Sequence, residues 1–499
     1  MAGITLATAI FWSLVRTLIV CTLALIPLAG FRRLLSDERS VSRRRFWLAV
    51  VTVPFFVPEL LTGFQYRLTA ASLAAAGDSA AHLVLTELLY GTLLLLRAVA
   101  VGVLLQGLLP ASGVTSASLH TWQLLRGTVT RWDWWRGWLR LNLGGRWRAG
   151  LTCWSLMAIV TFQEFETAAL MQIDRHPMTW TVWLFDAQAA MQPLAESLRM
   201  SLVPLGLELL FLMPCAALLW KSPSKFGGEQ ELQRCPQKSG WIAGWFCGIY
   251  AVIAAGLLVI TPVWQSLLPA MYGLVWIFSD ARLALQSIQQ VLVSAGFSVT
   301  ATAISLGVCW QLQSGASGPP GSTRQRLVTM VLLMPGLLGP LVLSLSLLSL
   351  FQWGVFHWMY DTWLPMLLGQ VLVLLPRAYA ISLFLRTVTD QESLYLARLV
   401  GSSGVAGVRR SGRALVWRLR DVRWLLGGLL LTQWCFWDVT VASSLRPVSL
   451  EPAVTRLYNE MHFARTEALL GLSFLAALTP LLVWVFALAV TYLIAARRQ

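Results

Sequence analysis

Three groups of side chains in this 499-residue chain stand where they could do chemistry. The first are acids set in apolar stretches: Glu164 and Glu166 in VTFQEFETAALM (Val160 to Met171), and Asp438 in WCFWDVTVASSL (Trp434 to Leu445). A carboxylate in hydrocarbon is costly, so such a residue either helps a cation along a path or is held by arginines and backbone N–H groups at a helix interface. The second are Arg16, Arg97 and Arg377, which lie inside apolar runs and must face protein, a cavity or an interface for the same reason. The third are arginines gathered in the polar segment Arg386 to Arg423, which holds eight Arg, no Lys and three acids. That segment reads as helix, break, helix. Leu394, Leu396, Ala397, Leu399 and Val400 form an apolar stripe, Gly401 and Gly404 with two serines interrupt it, and Val405 to Arg420 resumes the pattern. The chemistry on offer is docking. An apolar stripe gives affinity for a groove in a partner and arginines give orientation, while Gly401 lets the chain turn sharply. The competing reading is a basic loop lying on anionic lipid.

Metal and thiol chemistry find little support. The five His (82, 120, 176, 357 and 462) are scattered, and a standing iron site needs clustered ligands. The seven Cys form no CxxC pair and sit mostly in apolar runs, as small buried hydrophobes do. No cofactor is implied. No GxxxxGK[ST] phosphate loop occurs, so any nucleotide hydrolysis belongs to another chain and the protein is not itself an enzyme.

The elements that must position these residues are membrane helices. The chain is 57% hydrophobic and 12% charged, with 25 Trp and a mean hydropathy of +0.66, which describes an all-α polytopic membrane protein. Windows of about 20 apolar residues cross a hydrocarbon core of about 30 Å. Eleven are found, at 4–30, 46–66, 83–110, 149–171, 197–220, 241–267, 287–310, 327–351, 363–385, 424–445 and 468–495. The net charge of +15 does not point to nucleic acid, because 28 of the 38 Lys and Arg fall in alternate connections, against about seven in the opposite ones. The basic side is cytoplasmic, which puts the N-terminus outside and the C-terminus inside. The first apolar run lacks a basic leader and carries Arg16, so it reads as a retained helix. Segments 172–196, 268–286 and 446–467 are the larger external ones, placed to meet a soluble partner or to cap helix ends. Trp132, Trp134, Trp135, Trp138 and Trp147 suit an interfacial aromatic belt.

The chain repeats itself. A gap-free shift of 274 residues sets Phe162 on Phe436, Glu164 on Asp438, Ala168 on Ala442, Gly127 on Gly401, Arg136 on Arg410 and Arg146 on Arg420. Loop 111–148 thereby becomes the twin of the Arg-rich segment. Upstream, the proline-bearing VTVPFFVPEL (Val51 to Leu60) and LLMPGLLGPLVL (Leu332 to Leu343) correspond at 281 or 282. Two homologous halves follow, 1–235 with five spans and 236–499 with six, the extra one at 241–267.

Here the chain resembles a known family. Tyr395-Leu396-Ala397, Gly401, RLVGSS (Arg398 to Ser403) and Arg409-Arg410 are similar to the EAA loop of binding-protein-dependent ABC importer permeases, although Ser411, Arg413 and Ala414 stand where Ile and Leu-Pro belong. Thr121-Trp122-Gln123, Gly127 and Arg136 form a more degenerate first-half copy. Asp438, Arg446-Pro447 and Leu457-Tyr458-Asn459, with FQEFETAAL (Phe162 to Leu170), resemble the fused, two-half permeases of iron(III) and thiamine importers. The resemblance implies a type I ABC importer permease (MetI-like) fold in a bacterial inner membrane. It further implies a solute-binding protein outside, ATPase subunits on both cytoplasmic loops, and a translocation path on which Glu164, Glu166 and Asp438 are candidates. Iron(III) is the leading solute, with thiamine or another small solute next. An ion-coupled secondary transporter and a scaffold derived from a permease are the alternatives.

Overall fold

In a lipid core every backbone polar group must be satisfied within the protein, which leaves helices as the simplest solution for long apolar runs. The computed structural model is built that way. It describes residues 5–35, 41–75, 80–108, 116–124, 128, 130–144, 146–171, 178–220, 241–314, 323–388, 391–462 and 466–497. No β-strand occurs among them.

The helices fall into a series that occurs twice. The first comprises α1 (Leu6–Leu35), α2 (Val41–Phe56), α3 (Glu59–Ala75), α4 (Ala80–Leu108), α5 (Ser116–Leu124), α6 (Arg131–Gly144), α7 (Arg146–Phe162), α8 (Glu166–Met171), α9 (Trp180–Ala189) and α10 (Leu194–Trp220). Two more follow, α11 (Trp241–Ala255) and α12 (Thr261–Ser279), joined by a wide π-helical turn at Gly256–Ile260. The second series then runs α13 (Ala281–Ser314), α14 (Thr323–Leu337), α15 (Pro340–Phe351), α16 (Leu364–Val388), α17 (Gln391–Gly401), α18 (Ala406–Val416), α19 (Val422–Phe436), α20 (Val439–Leu445), α21 (Ala453–His462) and α22 (Thr466–Arg497). In order along the chain α13–α22 follow the pattern of α1–α10, with corresponding helices starting 272 to 284 residues apart, around the offsets of the sequence repeat. The proposed boundary between halves, 235/236, lies outside the described residues.

Seven of these helices are long and apolar enough to cross a membrane, and ten spans result if each bent pair counts as one. The chain is thus an all-helical, multi-pass membrane protein. Four of the eleven expected straight spans are broken. Window 46–66 bends by 73° between α2 and α3, window 327–351 by 100° between α14 and α15, and window 424–445 by 52° before α20. Window 149–171 carries a shorter apolar helix, Gly150–Phe162, and stops before α8. Proline explains two of the breaks, since it supplies no N–H and restricts the residue before it. Pro58 ends α2, and Pro340 opens α15 after Gly339, whose φ of +85° favours glycine.

The expected external loops also differ. Segment 268–286 is largely helical, in α12 and the start of α13. Within 172–196 and 446–467, α9 and α21 are helices folded into the body, with Trp180, Val182 and Leu184 buried in one and Ala453, Val454 and Leu457 in the other. Their apolar faces are too large to leave in water.

Candidate functional site

The acids come first. At the broken end of each seventh helix the chain needs hydrogen-bond acceptors for the free N–H groups of the next short helix. Glu164 Oε1 accepts the N–H of Thr167 at 2.6 Å, and Asp438 Oδ1 accepts that of Val441 at 3.0 Å. These are the same contact made twice, 274 residues apart. An acid there also favours the positive end of the helix it precedes. Glu164 Oε2 further accepts the Tyr90 hydroxyl at 2.5 Å. Glu166 reaches across instead, its Oε1 accepting the Val439 N–H at 3.1 Å, so that a side chain of α8 holds the first residue of α20. Glu164 and Asp438 are buried, and Glu166 lies within electrostatic reach of Asp438, Arg97 and Glu164.

The arginines inside spans are likewise engaged with protein. Arg16 pairs with Glu87 and lies over the Tyr90 ring, Arg97 pairs with Glu59, and the Arg377 guanidinium sits 5.6 Å from the centre of the Trp434 ring. The three acids therefore sit in a buried polar cluster where the two helix series meet, and each serves as a backbone acceptor. Such groups fix a unique arrangement of the broken helices, because any other register strands a buried N–H.

The two helical hairpins are built differently in detail but on one plan. In the second, α17 and α18 cross so closely that a Cβ on Gly412 would lie 2.2 Å from the Gly401 nitrogen. A Cβ on Gly401 would make only ordinary contacts, the nearest at 3.6 Å. The glycine the crossing requires is thus Gly412, a correction to the role expected of Gly401. In the first hairpin the Trp122 ring fills the notch left by Gly137 of α6, where a Cβ would lie 2.0 Å from ring carbon Cζ2. Trp122 Nε1 donates to Trp134 O at 3.3 Å.

The expected apolar stripe divides. Leu394 and Ala397 are buried, whereas Tyr395 (65% exposed) and Leu396 (60%) point outward together with Leu399, Val405 and Val408. Arg398, Arg409 and Arg410 are exposed beside them, as are Thr121, Gln123 and Arg136 in the first hairpin. Gly127 lies outside the described residues. The tryptophans expected at the interface pack on one another, with Trp138 edge-on against Trp135 and Trp147 at 5.3 and 5.1 Å, while Trp132, Trp135 and Trp147 remain exposed.

No group of His, Cys, Asp and Glu able to hold a metal ion occurs among the described residues. His357 stacks on Tyr360, and Cys21, Cys153, Cys247, Cys309 and Cys435 are buried free thiols.

Sequence reasoning missed two features. One is a pair of straps across the break in each series: Gln163 Nε2 donates to Leu337 O at 2.8 Å, and Gln433 Nε2 donates to Phe56 O at 3.3 Å. Phe56 and Leu337 are the last residues of α2 and α14, 281 apart. The other is Glu208, a buried acid in the middle of α10. A lone charge within the apolar stretch 200–220, flanked by Pro204 and Pro214, was the available signal. Comparison with family models, with curated proteins and with solved structures finds no match to this chain.

Proposed function

We propose that this chain is the membrane-spanning permease of an ATP-driven importer, with both permease halves fused in one polypeptide. Its hairpins α5–α6 and α17–α18 receive ATPase subunits on the cytoplasmic side, and a soluble binding protein delivers solute on the other. Iron(III) is the solute the family resemblance favours, ahead of thiamine.

One observation carries this reading: an exposed helical hairpin stands at the same place in both series, directly before the helix that ends at the Glu164 or Asp438 cap of the next short helix. A push on α18 travels through the wide π-helical turn at Trp417–Asp421 into α19 and reaches the buried cluster without crossing a flexible loop. The outward Tyr395, Leu396 and Leu399 supply an apolar ridge, and Arg398, Arg409 and Arg410 the orienting charge. ATP-driven closure of the partner then shifts the balance between two arrangements of the series.

The test is purification from native membranes in mild detergent, followed by reconstitution with the ATPase encoded beside this chain. The expected results are a stable complex, and ATP hydrolysis that rises when the loaded binding protein is added. Uptake that proceeds at full rate without ATP overturns the proposal and favours an ion-coupled transporter.

A further inference from the structure

Glu208 has no role in the reading above. It is 3% exposed, and neither carboxyl oxygen completes a hydrogen bond among the described residues. It faces a cavity of about 10 Å³ whose other walls are Ile159 of α7, Leu205, Leu209 and Leu212 of α10, Met334 and Leu337 of α14, and Leu338 just past it. That volume holds about one water-sized occupant. The polar side chain beside it is Gln163, which gives one amide N–H to Leu337 O at 2.8 Å and keeps the other within reach of Glu208, a single neutral donor that leaves the negative charge uncompensated.

Among the described residues no charged group offsets the carboxylate. The described elements packed on α10 near Glu208 are α7, α9 and α15, with α14 across the cavity. On α7 the charged residues Arg146 and Arg148 stand at its start, eleven or more positions before Ile159, and on α14 Arg324 and Arg326 stand eight or more before Met334. Asp186 of α9 interacts with Tyr458, and α15 carries no charge. On α10 itself Glu196 and Arg199 are exposed near its start, and Arg199 is about 13 Å from Glu208 along the axis. The fold does not demand an acid here either, because the residue 274 positions later is Leu482 of α22, which points outward.

An uncompensated carboxylate in such surroundings is too costly to persist bare. We propose that Glu208 is a proton-binding site, which must be occupied for α10 to close against the α14 break: the cavity's remaining walls are apolar and offer no oxygen ligands to a metal cation. Because the cavity touches Leu337 and Leu338, next to Gly339, proton release would loosen the sharpest bend among the described residues. The inference concerns a site remote from both hairpins and stands whatever partner binds them.

The experiment uses the full chain in detergent and two readouts. Thermal unfolding is followed against pH in choline chloride, and against sodium chloride at fixed alkaline pH. A ligand bound only by the closed form raises the midpoint with its concentration. Labelling of Glu208 by a hydrophobic carbodiimide, which adds to the acid form of a carboxyl, is mapped by mass spectrometry. The wild type is expected to gain stability as pH is lowered and to be indifferent to sodium chloride. Carbodiimide labelling is expected to fall as pH rises and to ignore sodium; labelling suppressed by sodium overturns the proposal. Glu208→Gln, which is neutral and similar in shape, is expected to be stable over the same pH range and to lose the dependence. Glu208→Asp, a backstop if the Glu208→Gln variant folds poorly, should keep the dependence with its midpoint moved about tenfold in proton concentration, since one CH2 removed draws the carboxyl back. A wild type indifferent to pH, or an unaltered dependence in Glu208→Gln, overturns the proposal.

Discussion

Gln163, just past the end of α7, gives its side-chain N–H to the carbonyl of Leu337 across the seam between the two helix series, and the same arrangement recurs where Gln433 meets Phe56. Both carbonyls end a broken helix and lack their usual partners. The amides therefore stabilise the bends rather than the straight helices on either side.

Replacing Gln163 or Gln433 by Leu should cost about 0.5–1.5 kcal/mol each, because a part-buried carbonyl loses its donor while the membrane reference state recovers part of the loss. The two sites are separate, so the effects should add. Chemical denaturation in mixed micelles would check this, and a midpoint unchanged in either variant would count against the strap.

Gly412→Ala should disrupt the second hairpin, while Gly401→Ala should be tolerated. An added methyl at 412 meets backbone 2.2 Å away, which cannot yield as a side chain can. Co-purification of the ATPase is expected to fall at least tenfold for Gly412→Ala only. Equal retention by both would show that the close crossing is not what presents the ridge.

In the first hairpin, Trp122→Ala removes the ring seated on Gly137 and should loosen α5 from α6, a loss of about 3 kcal/mol if the ring is treated as a packed aromatic. Limited proteolysis should then cut within 116–144 well before the rest of the chain. Trp122→Phe should restore most of the protection.

For the acids, capping and charge predict different outcomes. Asp438→Asn keeps the acceptor for Val441 N–H and should leave solute uptake near the wild-type rate, whereas Asp438→Ala should cost about 1 kcal/mol. Glu164→Gln combined with Asp438→Asn extends the test to both series. Uptake abolished in that double variant, with ATP hydrolysis intact, would assign the carboxylates to the solute path.

Arg97→Gln should destabilise the chain by about 3–5 kcal/mol, since Glu59 then loses its partner in a largely buried setting. Arg97→Gln with Glu59→Gln should recover much of that loss. Thermal aggregation of the two variants compared with wild type reads the difference.

Much of the architecture was readable from residue types alone. Phe162, Glu164, Gly127 and Arg136 have their counterparts at a single offset, and the helices around those positions do recur in order. The bends were less readable. An apolar window averages over its residues, so Pro58 and Pro340 disappear into a strongly hydrophobic run even though each ends or begins a helix. The split of the hairpin stripe was hidden for a different reason: α17 buries Leu394 and Ala397 against its own partner helix, and periodicity cannot tell that face from one offered outward. Glu208 escaped because the repeat was the guide, and its counterpart is Leu482.

The two added helices unbalance this doubled molecule. Gly471 of α22 lies so near α12 that a Cβ would come within 2.5 Å of the Gly273 carbonyl carbon, leaving the backbones in direct contact. On the other flank α10 carries Leu202, Val203, Leu210 and Met213 uncovered. Any displacement of α22 therefore carries α12 with it as ballast, whereas α10, held on one side by α7, α9 and α15, keeps its outer face unloaded, so the later-synthesised side is the heavier of the two.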